Sequence, residues 1–179
     1  MKTQVLFRQI HHWGSIIVSV PLIIMIGAGI LLMLKKEIEW IQPSTQKGIE
    51  QKAIPTQSFE RLFEAAKAVE KAGITSWADL ERVDVKAGKG IIKFVTASNW
   101  EVQVDTYTAK VLHTDFRRSD IIEQIHDGSY FADWTKLGLF LPAGIVLFFL
   151  WITGIYLFAL PHYKKAQKKN KKKKMQNKI

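Results

Sequence analysis

Five histidines are the side chains here best suited to holding a metal or a cofactor: His11, His12, His113, His126 and His162. A neutral imidazole offers one ring nitrogen as a ligand and the other as an anchor. Cysteine is absent. That excludes a disulfide framework, a thiol nucleophile, Cys-ligated zinc, an iron–sulfur cluster and a covalently attached c-type haem. There is no HExxH, G-x-S-x-G or P-loop, so no hydrolytic or nucleotide-binding site is visible. Asp115, Asp120, Glu123, Asp127 and Asp133 are close in sequence. Their spacing specifies no metal site, and solvated surface charge is the default reading. His11 and His12 are adjacent. On a helix they point ~100° apart, so only one can face a given slot.

Four of the histidines flank two uncharged stretches, 13–34 and 137–161. Each stretch exceeds the ~20 apolar residues a helix needs to cross a ~30 Å hydrocarbon core. A core this small cannot hide two such helices on all faces. The first is also too long for a cleaved signal peptide, and no small-residue cleavage site follows it. Both are therefore expected to be transmembrane helices. Neither holds a carboxylate, lysine or arginine, which argues against a pump or a coupled transporter.

The formal net charge of +10 invites a nucleic-acid reading. Its distribution replaces that with a topology. Lys2 and Arg8 precede the first stretch, nine lysines follow the second from Lys164 on, and 35–136 is nearly balanced. Lys/Arg-rich flanks stay in the cytoplasm, so both termini are expected there and the middle on the far side. His11, His12 and His162 would then share the cytoplasmic face. His126 would lie ~30 Å away. The plain alternative for each is a polar residue at a membrane interface, or for His113 a surface strand residue. The tail KKAQKKNKKKK is low-complexity and expected to be disordered.

The middle reads as a small α+β unit. Ser58 can cap an amphipathic helix over 58–72, with Phe59, Leu62, Phe63, Ala66 and Val69 on one face and Gly73 as its stop. Strands are expected over 80–85, 90–96, 100–105 and 111–116. Trp100, Val102 and Val104 alternate onto one face. Asp120 and Glu123 resemble a capping box for a further helix. The expected order is an N-terminal segment 1–12, span 13–34, polar linker 35–57, α+β domain 58–118, amphipathic helix 119–136, span 137–161 and basic tail 162–179.

Three stretches carry a family resemblance. RQIHHWG at 8–14, VQVDTYTAKVLHTDFRR at 102–118, and IIEQIHDGSYFADW at 121–134 with a following span that contains WITG are similar to PepSY-associated transmembrane proteins. The resemblance implies a bacterial inner-membrane protein with an extracytoplasmic PepSY domain. Larger relatives resemble ferric-siderophore reductases and other transmembrane electron carriers, whose helix histidines hold b-type haem. By that resemblance His11, His12, His126 and His162 are candidate haem ligands. The chain departs from the large members in having two spans and one PepSY unit. Two helices cannot enclose a haem, so a homo-oligomer or a redox partner protein would be needed. Ser15, Ser19 and the glycines of the spans would permit close helix approach. The resemblance also implies an alternative, a membrane-tethered PepSY module that recognises a periplasmic peptide, peptidase or protein. The bilayer is a partner in both readings, and nucleic acid in neither.

Overall fold

The computed structural model describes residues 2–52 and 54–176. The chain divides into two compact units, residues 27–126 and a helical unit of residues 1–26 with 127–179.

In the helical unit, α1 (Lys2–Met33) contributes its residues up to 26, and α4 (Leu141–Gln176) follows a single π-helical turn, Lys136–Phe140. Both contain stretches long and apolar enough to cross a membrane, Gln4–Met33 and Lys136–Lys165. Their apolar side chains point outward: Ile17 is 74%, Ile23 71% and Phe158 73% exposed. Helices that are apolar all round and unburied require lipid as solvent. The two helices meet through small residues. Val18 packs with Ala143 and Leu150, and a Cβ at Gly14 would lie 3.2 Å from the Leu150 side chain. Pro21 and Pro161 lie inside continuous helices. The expected disorder of the tail is corrected, because α4 runs on to Gln176. Lysine is a good helix former, and the span supplies an already nucleated helix to extend.

The second unit holds α2 (Phe59–Lys67), strands β1 (Leu80–Lys86), β2 (Ile91–Thr96), β3 (Trp100–Asp105) and β4 (Val111–Phe116), and α3 (Arg118–Asp127) to His126. The strands form an antiparallel meander in the order β1-β2-β3-β4. Ser58 Oγ accepts the Arg61 amide and caps α2. Leu62 and Ala66 pack against Ile92, Phe94, Val102 and Val104, which are the same-face positions of the two central strands. The helix expected over 58–72 is shorter. Val69 is extended (φ −90, ψ 96), and a 3-10 turn over Glu70–Ala72 reaches Gly73 at φ 62. The capping box expected at Asp120 is also corrected. Helix α3 starts at Arg118, and the Asp120 carboxylate instead takes hydrogen bonds from Arg117 and Arg82.

One face of a small antiparallel sheet is ordinarily wet. Here it is not. Lys93, Glu101, Gln103 and Asp105 are 0–2% exposed. The stretch read from sequence as a polar linker lies across them. Gln103 Nε2 donates to the Ser44 carbonyl at 2.8 Å, the Gln46 amide donates to Gln103 Oε1 at 2.8 Å, and the Ile49 amide donates to Asp105 at 2.7 Å. Gly48 donates its amide to the Lys89 carbonyl at 2.8 Å. The approach is so close that a Cβ on Gly48 would stand 2.3 Å from the Gly90 carbonyl oxygen.

Candidate functional site

In the helical unit, α1 and α4 leave a groove of about 620 Å³ between them. Its walls are mostly aliphatic, including Val18, Leu22, Ile26, Leu147 and Leu150, with Trp151 and Phe158 added from α4. His11 lines it and is the one histidine that does. The imidazole lies beside Gly154, where a Cβ would be 3.6 Å from Cε1.

His11 is held through Nδ1 by a neighbour on α4. The Thr153 hydroxyl donates its single proton to the Leu150 carbonyl at 3.0 Å. Thr153 Oγ1 therefore acts as acceptor toward His11 Nδ1, 3.3 Å away. A tautomer with the proton on Nδ1 satisfies this contact and leaves Nε2 as the nitrogen available to a ligand. No hydrogen bond among the described residues reaches Nε2. Metal-ligating histidines are oriented in this way, with one nitrogen donating to a fixed oxygen and the other left to coordinate. Ser15 Oγ donates to the His11 carbonyl at 2.6 Å and so ties its hydroxyl to the backbone.

His12 points elsewhere, as the ~100° helical offset requires. It is exposed and stands edge-on to Trp13, with centroids 5.4 Å apart. His11 and His12 do share a smaller cavity of about 420 Å³, together with Arg8, Ser15 and Ser19. His162 lines neither cavity. It is exposed, its Nδ1 lies 3.1 Å from the Phe158 carbonyl oxygen, and its ring is 5.1 Å from the Phe158 ring. His126 belongs to the sheet unit, where its Cε1 lies 3.3 Å from where a Cβ on Gly29 would stand. His113 is half-buried on β4, opposite Gln103. The four candidate ligands therefore separate: His11 and His12 adjoin one cavity, and His126 and His162 do not.

The donor set around His11 fits the axial ligation of a haem iron. It offers an imidazole held through Nδ1, apolar walls on two helices and no carboxylate among the lining residues. It supplies a single histidine to the larger groove. Any further histidine ligand to a group held there would come from another copy or from a partner, since His12 points ~100° away. Among the described residues there is no group of three His, Asp or Glu that would hold a free metal ion.

The sheet unit carries a second assembly that the strand alternation did not reveal. Glu101 bridges Lys93 at 2.8 Å and, by a shorter contact, Arg117. Arg117 continues to Asp120 at 3.1 Å, and Arg82 reaches the same carboxylate at 2.9 Å. Burial opposes the charge on Asp120, but the hydrogen bonds from Arg117 and then Arg82 outweigh it and hold its pKa below the usual range. Burial pulls the Lys93 pKa down against the pull of Glu101. Asp105 is also held low, because backbone amides of Ile49, Thr108 and Tyr107 outweigh its burial. Alternation places Trp100, Val102 and Val104 on one face and says nothing of what covers the other. The available signal was Pro43 and Gly48 in a polar segment long enough to fold back over that face.

The family described as the PepSY-associated TM region matches residues 8–178. No curated protein and no solved structure matches the chain.

Proposed function

The chain belongs to the PepSY-associated TM family, and on that premise we propose that it is a b-type haem-binding subunit of a transmembrane electron-transfer system. Its place is the bacterial inner membrane, with both termini in the cytoplasm and the sheet unit outside. The lysine-rich tail and the acid-free N-terminal segment support that orientation. The observation that carries the haem reading is the His11–Thr153 pair in the apolar α1/α4 groove. Haem, when bound, supplies one-electron redox chemistry. In this reading His11 supplies Nε2, Thr153 fixes the ring, and the aliphatic walls exclude water. Arg8 is the one cation lining the adjoining cavity and would pair with carboxylates of the group. A second copy or a redox partner closes the open side of the groove.

Purified full-length protein in mild detergent, after haem-replete expression, should show a Soret band and a reduced α-band. Absence of both overturns the reading.

The alternative, a tethered binding module, is favoured by one feature of the sheet unit. Phe59 and Trp77 are about half exposed, and their rings meet at 5.5 Å. That reading expects a haem-free protein whose capture of a periplasmic partner is lost in Trp77→Ala and kept in His11→Ala.

A further inference from the structure

The second face of the sheet opens into a pocket of about 540 Å³. Six cationic side chains line it, Lys35, Lys36, Lys86, Lys89, Lys93 and Arg117, against the single carboxylate of Asp84. The buried carboxylates behind it are already engaged. Glu101 holds Lys93 and Arg117, and Asp120 holds Arg117 and Arg82. Asp84 is 3.9 Å from Lys86 and 4.0 Å from Arg82. Lys89 Nζ donates to the Thr45 carbonyl at 3.1 Å, which leaves its charge unneutralised. Lys35 and Lys36 have no carboxylate partner among the described residues. The lining is therefore strongly positive and partly walled off from water, a combination that concentrates anions.

The position narrows the anion. Residues 27–33, the last apolar turns of α1, belong to this same unit and lead directly to Lys35 and Lys36. A lysine two residues beyond a membrane-spanning segment stands at the depth of lipid headgroups. Pro43, Ser44 and Thr45 form another wall, and the sheet fixes them through Gln103 and Lys93. Several cations around one cavity suit a group with several charged oxygens better than a lone carboxylate.

We propose that this pocket binds the phosphate group of an anionic phospholipid headgroup and so seats the sheet unit on the membrane surface. Free phosphate shares the chemistry, and the test separates the two. The proposal does not depend on the haem reading.

Full-length protein in a zwitterionic detergent is titrated with dioctanoyl phosphatidylglycerol, with inorganic phosphate, and with dioctanoyl phosphatidylcholine as a control. Thermal midpoint is the readout. A saturable rise with phosphatidylglycerol alone, weakened about thirtyfold in the Lys35→Gln/Lys36→Gln variant, supports the lipid. The same rise and the same weakening with inorganic phosphate support the pocket with free phosphate as its ligand. Lys86→Gln is the second variant, since it removes a pocket charge whose ion pair is with Asp84 and not with Glu101. No rise with either anion, or a rise unchanged in both variants, overturns the proposal.

Discussion

A histidine becomes a ligand when something else decides which nitrogen carries its proton. At position 11, in the proposed haem reading, that is Thr153, which lies 3.3 Å from His11 Nδ1 and 3.0 Å from the Leu150 carbonyl. Thr153→Val keeps the shape and removes the acceptor. We expect haem occupancy to persist with affinity reduced about 10- to 100-fold, the usual cost of losing such an orienting partner. Haem titration of the purified variant checks this, and an unchanged affinity would place Thr153 outside the site. Glu101 poses a different residue-scale question. It is fully buried and sits between two cations. Glu101→Gln leaves Lys93 and Arg117 buried with their shared countercharge gone. Breaking a buried pair from one side costs about 3–5 kcal/mol. Chemical unfolding followed by tryptophan fluorescence should show a loss of that order, and a loss under 1 kcal/mol would mean water or rearrangement compensates.

The elements show which features a sequence carries openly. Strands β3 and β4 coincide with their expected ranges, β3 because a clean period of two admits little else and both because turn residues bound them. Ser58 and Gly73 bracket the α2 region as capping chemistry predicts. What alternation cannot show is what covers each face. Residues 43–49 cover the polar face through backbone groups, and backbone hydrogen bonding leaves no side-chain pattern to read. Gly48 is the exception, since no other residue fits against the Gly90 carbonyl. Gly48→Ala should lift this segment, at a cost of about 1–3 kcal/mol. Hydrogen exchange should then speed up at the Gln46 and Ile49 amides before it does in β2. Two carboxylates make stability pH-dependent, Asp105 through the Ile49, Thr108 and Tyr107 amides and Asp120 through Arg117 and Arg82. The folded-state pKa values of Asp105 and Asp120 lie below their unfolded values. Their contribution is complete above the unfolded carboxylate pKa of ~4 and is lost as pH falls through the lower folded values. Melting temperature should therefore hold at neutral pH and fall steadily below about pH 4. A midpoint flat down to pH 2 would contradict the assigned contacts.

For the whole molecule, two uncharged stretches were enough to predict a membrane protein, and the outward-facing apolar side chains of α1 and α4 agree with it. The candidate site was only partly legible. The helical offset predicts that one of His11 and His12 faces a given slot, but which one depends on where α4 packs, and small residues such as Gly154 settle that without any local signal. The tail departs from the disorder that its low complexity predicts, because a lysine run continuing a formed helix need not melt. The proposed orientation is directly testable in a cysteine-free chain. Lys110→Cys should react with an impermeant maleimide in intact cells, and Gln167→Cys should react only after lysis. The reverse pattern would invert the topology.

The most direct test of the account is the reduced-minus-oxidised difference spectrum of the full-length protein beside its His11→Ala and His162→Ala variants. The account predicts a b-type α-band in the wild type, retained in His162→Ala and lost in His11→Ala. A wild-type spectrum with no haem bands, or bands that survive in His11→Ala, would contradict it.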